Sequence, residues 1–393
     1  MTEPKKVAIL FSLAEKAQRS EFLGILDYAE RHGPWFCLFD ECFSGERMQD
    51  APKTGVDGVI VMRTAEDDAR EIAALRVPVV FVEPCPEMLK PGYPLQDVPY
   101  VTSDSRAIGA EAARYYLSRG YESFAFVGGA DREFWSDERR ASFTETLAAA
   151  GFGCAVCDSF PDAGNRDWPK AREGMTRFLK GLPRTTAVFA PSDRTARLVL
   201  EACLLAGLRV PDEVAVLGVD NDPLLCESVF PPLSSIHRGG FRRGQMAAEM
   251  LDSLMNGREP PVRAVSQPPI AVVTRGSTGY GAMNDPAISA AVAFIRRHAR
   301  RGDADVAAVV RSVGCSRRSL EQRFRSRLGF SIRDEIVRER IDYVKSLLAS
   351  DDLSIGEITE KADFSRESHL AKLFKRETGL TMTEWRRKNR DSR

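Results

Sequence analysis

Buried strands alternate with amphipathic helices over the first two thirds of this chain, and this alternation constrains the fold more than any other feature. Short runs rich in Val, Ile and Phe recur at residues 7–11, 35–39, 58–62, 79–82, 124–127, 187–190 and 214–219. Helical periodicity lies at residues 21–30, 107–118, 139–150, 168–180 and 194–206. Continuous apolar strands separated by helices are typical of parallel sheets covered on both faces. The sequence therefore predicts an α/β fold.

The strands fall into two series, and each series is long enough to form its own doubly wound parallel sheet. We expect a two-lobed ligand-binding domain over 1–275, with one lobe at about 1–103 plus 236–275 and the other at 104–235. In open α/β sheets ligands bind outside the carboxyl ends of the strands, so a ligand is expected between those ends. Small residues at 276–283 predict a linker.

The remaining residues, 284–393, carry helical periodicity without strand signals and predict a separate all-α domain. This region contains an internal repeat, because Phe324 and Phe374, and likewise Gly329 and Gly379, are 50 residues apart. Each repeat combines a short helix, a tight turn and a longer helix with a Leu and Phe stripe. We predict two helix-turn-helix units.

Charge is distributed unevenly between the two regions. The formal net charge of the chain is zero, but residues 284–393 carry 24 basic and 17 acidic side chains, a net of +7, which leaves −7 for the rest. A basic tail on an acidic body favours polyanion binding, although a solvated helix surface is the alternative. The candidate residues for double-stranded DNA are Arg317, Arg318, Glu321, Gln322, Arg325, Arg366, Glu367, Ser368, Lys372, Lys375 and Arg376. Those at the start of each longer helix are assigned to bases, and the later cations to phosphates.

The repeated segments resemble the AraC-type DNA-binding domain. The resemblance rests on VGCSRRSLEQRF at 313–324, on the second unit from Phe364 to Phe374, and on the segment GLTMTEWR at 379–386. Two positions depart from the family pattern, since Asp363 replaces the usual Gly of the second turn and Met382 replaces the usual Pro. Because Asp tolerates left-handed backbone better than most residues, we expect an altered turn that is still formed.

The first 275 residues resemble the sugar-binding domain shared by periplasmic binding proteins and LacI-type repressors. The segments SDRTA at 192–196 and GLRVPDEVAVLGVDN at 207–221 carry this resemblance. A sensor of this type with an AraC-type tail resembles the bacterial xylose operon regulators. That resemblance implies a sugar-responsive transcription regulator that controls sugar-utilisation genes. Its expected effector is xylose or a similar sugar, and the alternative is another mono- or disaccharide.

Five residues are candidates for ligand binding. Asp193 and Asp220 each follow a strand at its carboxyl end, and carboxylates accept hydrogen bonds well from sugar hydroxyls. The resemblance places Arg139 at a sugar-contacting position, Trp135 could stack on a pyranose, and Arg19 is a further candidate from the other lobe. The alternative for Asp220 is helix capping, because the segment DNDP at 220–223 is also good turn chemistry.

Several classes are disfavoured by the sequence. Apolar runs are too short to span a bilayer and no signal peptide opens the chain, so we expect a cytoplasmic protein. Dispersed histidines and the lack of a phosphate-binding Gly motif predict neither metal nor cofactor. The expected partners are DNA, a sugar, a second copy in a homodimer and RNA polymerase. The rivals are a sugar-processing enzyme with a DNA-binding tail and a DNA-binding protein with a scaffolding body.

Overall fold

The computed structural model describes residues 3–13, 16–40, 55–62, 66–129, 133–160, 168–183, 185–278, 285–299, 302–328, 330–350 and 353–389. The described strands are β1 (Lys5–Leu10), β2 (Trp35–Asp40), β3 (Gly58–Val61), β4 (Val79–Val82), β5 (Tyr100–Ser103), β6 (Ser123–Gly129), β7 (Ala155–Phe160), β8 (Thr186–Phe189), β9 (Val214–Val219), β10 (Ser234–His237), β11 (Ala264–Gln267) and β12 (Ala271–Val273).

Fifteen α-helices are described, together with one 3₁₀ turn at Pro86–Leu89. They are α1 (Lys16–His32), α2 (Glu66–Ala74), α3 (Ser105–Leu117), α4 (Phe134–Ala149), α5 (Trp168–Gly181), α6 (Asp193–Ala206), α7 (Pro223–Glu227), α8 (Gly240–Met255), α9 (Pro286–His298), α10 (Val306–Val313), α11 (Arg317–Leu328), α12 (Ile332–Ser350), α13 (Ile355–Lys361), α14 (Glu367–Thr378) and α15 (Met382–Asn389).

The chain forms two compact units, which are described separately. Unit 1 contains Met1–Ile108 and Arg238–Ile270. Its sheet has the order β11-β5-β4-β3-β1-β2 with parallel pairing throughout. Helices α1 and α8 pack closely, because a β-carbon at Gly24 or Gly244 would collide with backbone of the facing helix. Glycine at these two positions therefore permits the helix contact on which one layer of the unit depends.

Unit 2 contains Gly109–His237 and Ala271–Lys388, and therefore includes both a second α/β lobe and the C-terminal helices. Its sheet has the order β12-β10-β9-β8-β6-β7. The edge strand β12 runs antiparallel to β10, whereas the other strand pairs of this sheet are parallel. The predicted fold class, an α/β region followed by an all-α region, is confirmed.

The C-terminal helices bury the two side-chain stripes on which the predicted repeat is based. Leu320 and Phe324 of α11, and Leu370 and Phe374 of α14, have no exposed side-chain surface. Each pair belongs to a separate apolar cluster. The long helix α12 joins the clusters, because its residues Ile332 and Ile336 pack in the first while Ile341 and Val344 pack in the second. None of the described helices is long and apolar enough to cross a membrane.

The packing of the second lobe extends beyond residue 275, where the sequence suggests that a linker begins. Ser277 and Thr278 are fully buried. The Ser277 hydroxyl donates to the Val216 carbonyl at 2.6 Å, and its backbone amide donates to the Pro232 carbonyl. Residues 276–278 are thus part of unit 2, and residues 279–284 lie outside the described residues.

Candidate functional site

The loop after β9 holds Asp220 and Asn221 in strained backbone conformations. Both residues have positive φ, 114° for Asp220 and 53° for Asn221, which is uncommon for residues with side chains. The Asp220 amide donates to the Ile236 carbonyl at 2.9 Å, so the loop is tied to the neighbouring strand β10. The N-cap of the next helix, α7, is Asp222, because its carboxylate accepts the Leu224 amide. Asp220 itself follows β9 at the carboxyl end of the sheet, two residues before this cap.

Asp193 holds this loop through buried hydrogen bonds. It is the first residue of α6, and its side chain is completely buried. One carboxylate oxygen accepts the Ser235 hydroxyl at 2.5 Å, and the other accepts the Asp222 amide at 2.8 Å. Burial, and then the nearby Asp220 charge, raise the pKa of Asp193 well above its usual range. These contacts make Asp193 a residue that positions the β9–α7 loop.

Arg139 and Trp135 meet on helix α4. Arg139 is 1% exposed, and its Nη1 donates to the Pro191 carbonyl at 2.5 Å, in the segment between β8 and α6. Its guanidinium carbon lies 4.7 Å from the centre of the half-buried Trp135 ring, within the range of a cation–π contact. The structure thus brings a cation and an aromatic face together beside the end of β8.

Two further residues of unit 2, Arg275 and Asn221, were not among the candidates from the sequence. Arg275 donates from Nη2 to the Asn221 Oδ1 atom at 2.8 Å and from Nη1 to the Leu233 carbonyl at 3.0 Å. Arg275 lies 54 positions beyond Asn221 in the chain, so no local pattern pairs them. This contact fixes the orientation of the Asn221 amide at the same sheet edge.

Unit 1 contains a cluster of four charges that the sequence analysis also missed: Glu21 and Arg243 are buried, and Glu83 and Arg238 are half-buried. Glu83 accepts a hydrogen bond from Arg238 Nη1 at 3.3 Å and forms an ion pair with Arg243, whose Nε lies 3.2 Å away. Arg243 donates from Nε and Nη2 to Glu21, at 3.1 and 2.7 Å. Burial raises the pKa of Glu83, but the two arginines and hydrogen bonds from Ser103 outweigh it and lower the pKa to about 2. For Glu21 burial outweighs Arg243, and its pKa rises to about 7. Glu83 follows β4 directly. The rule that ligands bind at the carboxyl ends of strands, here called the strand-end rule, singled out Asp220 and could also have found Glu83.

Arg19, the unit 1 candidate from the sequence, makes a local structural contact. Arg19 lies in α1 and donates from Nη1 to the Leu13 carbonyl at 2.9 Å. Asp104, which precedes α3, accepts the Ala107 amide at 2.7 Å, as a residue at a helix start commonly does.

The C-terminal helices form two helix-turn-helix units, and each has a residue in left-handed conformation after its first helix. In the first, Gly314 ends α10 with a left-handed φ of 71°. In the second, Ser354 and Glu357 form a capping box at the start of α13, and Asp363 adopts φ of 53° in the turn. The turn is therefore formed with Asp in the position expected for Gly. Met382, the other departure, is buried at the start of α15.

Most of the candidate DNA-binding side chains lie on exposed surfaces of α11 and α14, opposite the buried stripes. Exposed are Arg317, Arg318, Gln322, Arg325, Arg366, Glu367, Ser368, Lys372, Lys375 and Arg376, whereas Glu321 is half-buried. Arg376 pairs with Glu377 at 2.7 Å. The two longer helices thus present cations and hydrogen-bonding groups from their first turns onward.

Two family patterns match this chain. The periplasmic binding protein-like domain matches residues 113–278, and the helix-turn-helix domain matches residues 309–388. The xylose operon regulatory protein of Escherichia coli (strain K12) is 29% identical over 388 residues, covering 98% of this chain and 97% of the relative. The protein of the same name from Haemophilus influenzae is 28% identical and covers 97% of this chain and 98% of the relative.

Solved structures give the same result. A solved structure of the xylose-binding transcription activator xylR superposes with a TM-score of 0.64 at 28% identity, and the match covers 99% of both chains. A lac repressor dimer bound to operator, at 18% identity, has a TM-score of 0.55 and covers 70% of this chain and 95% of its own, which shows a shared sensor fold. The two helix-turn-helix units, the fold of the sensor and the full-length similarity all point to the same group of proteins. A periplasmic binding protein-like domain followed by a C-terminal pair of helix-turn-helix units makes this chain similar, over its full length, to the xylose operon regulators.

Proposed function

We propose that this protein regulates sugar-utilisation genes in the cytoplasm, with D-xylose as its effector. The observation that carries the proposal is the carboxyl end of the unit 2 sheet, where Asp220 and Asn221 follow β9 and Arg139 stacks on Trp135. Carboxylate and amide oxygens accept from sugar hydroxyls, guanidinium groups donate to sugar oxygens, and aromatic rings pack on the apolar C–H face of a pyranose. Full-length similarity to xylose operon regulators supports D-xylose over other monosaccharides.

Within this proposal the residues have different roles. Asp220, Arg139 and Trp135 contact the sugar, whereas Asp193 holds the β9–α7 loop and Arg275 orients Asn221. Arg19 stays a candidate for sugar binding from the sequence alone. The C-terminal helices read DNA through the first turns of α11 and α14.

D-Xylose should raise the melting temperature of the full-length protein more than other pentoses and hexoses do. A ligand at 100 times its Kd stabilises the folded state by roughly 2.7 kcal/mol, a shift that differential scanning fluorimetry resolves. A larger shift with another sugar would reassign the effector and leave the sensor role in place. No shift with any sugar would contradict the sensor role and favour a body that only provides a scaffold.

The rival assignment, a sugar-processing enzyme with an accessory DNA-binding tail, makes a separate forecast. It expects D-xylose to be consumed when incubated with the purified protein, whereas a sensor returns it unchanged. The relatives named above are transcription regulators, and this favours the sensor. Recruitment of RNA polymerase at the regulated promoter belongs to the same proposal.

We also propose that the protein is a homodimer, and we expect Phe230→Ser to weaken it. Phe230 is 92% exposed in the loop after α7, and Leu204 and Leu224, on α6 and α7, are about three quarters exposed. Burying a Phe side chain contributes roughly 1.5–3 kcal/mol, and a two-fold interface contains each residue twice, so the dimer Kd should rise at least about tenfold. Sedimentation equilibrium measures this Kd.

Phe36→Ser in β2 is the matched control, because Phe36 is also exposed but lies in unit 1. The interface assignment is wrong if Phe230→Ser associates as the wild type does. A wild-type protein that stays monomeric at micromolar concentration contradicts the homodimer itself.

A further inference from the structure

A buried arginine connects the second lobe with the C-terminal helices inside unit 2. Arg119 follows helix α3 and is 6% exposed. Its guanidinium lies 3.8 Å from the centre of the Tyr115 ring and donates to the Thr274 hydroxyl at 3.2 Å. The same Nη2 atom lies 3.9 Å from the carboxylate of Asp342 in α12. One side chain therefore contacts both the lobe and the long helix of the DNA-binding domain.

Hydrogen bonds continue from Arg119 towards the proposed sugar site. The Tyr115 hydroxyl bonds with the hydroxyls of Thr274 at 3.1 Å and Thr278 at 2.7 Å. Thr278 bonds with Ser234, whose hydroxyl accepts the Arg275 amide at 2.7 Å. The Arg275 guanidinium then donates to Asn221, the neighbour of Asp220. The β9–α7 loop and Arg119 thus belong to one buried polar network.

Helix α12 also contacts the second helix-turn-helix unit of the DNA-binding domain. Arg340, two residues before Asp342, donates from Nη2 to the carbonyls of Ala362 and Asp363 at 3.2 and 2.8 Å. Its guanidinium also lies 3.8 Å from the centre of the Phe364 ring. These three residues form the turn between α13 and α14. Displacement of α12 therefore moves the turn that sets the direction of α14.

We propose that the Arg119–Asp342 contact couples effector binding at the β9–α7 loop to the DNA affinity of the second helix-turn-helix unit. This inference rests on the proposed function and adds its regulatory connection. The side chains of Arg119 and Asp342 are 7% and 14% exposed. A charge pair with so little access to water is sensitive to small displacements, because water replaces a lost partner poorly there. A ligand that tightens the Asn221–Arg275 end of the network changes the Thr274 and Tyr115 positions against which Arg119 is held. Arg119 and Asp342 act as positioning residues and contact neither sugar nor DNA.

The test compares sugar-dependent DNA affinity in full-length wild type, Asp342→Asn, Arg119→Gln and the double variant. The DNA is a duplex selected by the wild-type protein from a random-sequence library, and the effector is D-xylose. Couplings of this kind typically change affinity about fivefold or more, and we expect each single variant to reduce the D-xylose-dependent change below about twofold. If the two residues act through their contact, the double variant shows the same small response as each single variant.

Sugar binding is measured separately by calorimetry, and D-xylose affinity should stay within about threefold of wild type in every variant. Asp342→Asn keeps the side-chain volume, and in Arg119→Gln the Asp342 carboxylate retains its 3.0 Å pair with Lys345, so both are expected to fold. Arg114→Gln is the matched control, because Arg114 lies on exposed surface of α3 and pairs only locally with Glu111 at 3.0 Å among the ion pairs described.

Three results would overturn the inference while leaving the proposed function intact. These are a wild-type response in both single variants, an equal loss in Arg114→Gln, and D-xylose binding to the wild type with no change in DNA affinity. Absence of D-xylose binding to the wild type in calorimetry would overturn the proposed function, and the coupling to this sugar with it.

Discussion

Asp220→Asn should weaken D-xylose binding by roughly tenfold to hundredfold while leaving the unfolding free energy of the sugar-free protein nearly unchanged. A hydrogen bond to a charged group contributes roughly 1.5–3 kcal/mol, and loss of the charge removes most of that from the sugar complex. Asn tolerates the left-handed backbone that position 220 requires, so the loop should keep its shape. Calorimetric titration gives the affinity, and urea unfolding gives the stability.

Stability should even rise slightly in this variant, because the Asp220 charge is one of the causes that raise the pKa of buried Asp193. Removing that charge relieves its repulsion with Asp193 in those molecules whose Asp193 is ionised. The fraction of such molecules grows as the pH rises. The effect on stability should therefore be larger at pH 8 than at pH 5.

Asp222→Asn is the matched comparison two residues further on. The Asp222 carboxylate accepts the Leu224 amide at the start of α7, and Asn is also an effective cap, so stability should change by less than about 0.5 kcal/mol. D-Xylose affinity should stay at the wild-type value. Equal loss of affinity in both variants would show that loop shape matters and that Asp220 makes no specific sugar contact.

The sequence was sufficient for features that depend on local periodicity. The run Val214–Val219 is apolar throughout because β9 is buried on both faces, and the observed strand has the predicted bounds. The Leu and Phe stripes of α11 and α14 predict burial correctly, since residues four apart lie on one helix face. By contrast β12 has three residues and depends on antiparallel pairing of Val273 with Ser235, which no local pattern specifies.

Side-chain partners were the harder part of the site. The strand-end rule places Asp193 and Asp220 at one sheet edge, but the direction of Asp193 is set by Ser235, 42 positions away, and by the absence of a side chain at Gly218. Likewise Arg243 and Glu21 are 222 positions apart, so a buried pair between them follows only from the packing of α8 on α1. Long-range contacts, and not residue types, decide which polar groups remain available to a ligand.

Arg318→Ala should cost sequence discrimination more than affinity for DNA in general. Arg318 is exposed in the first turn of α11, opposite buried Leu320, where a guanidinium can donate two hydrogen bonds to guanine. We expect a loss of roughly 1–3 kcal/mol on the selected duplex at one base position and little loss on scrambled DNA. Fluorescence anisotropy over a series of single-base variants of the duplex identifies that position.

Arg376→Ala supplies the contrasting case, because Arg376 lies late in α14, where a cation is placed for phosphate. It should weaken binding to all duplexes and reduce the slope of log affinity against log salt by about one. Arg318→Lys separates charge from geometry at the first position, since Lys keeps the charge and lacks the planar donor fork. If Arg318 reads guanine, Arg318→Lys keeps the wild-type salt slope and loses discrimination as Arg318→Ala does. Equal weakening of selected and scrambled DNA by Arg318→Ala, with Arg318→Lys behaving as wild type, would instead make Arg318 a phosphate contact and move base reading elsewhere on α11.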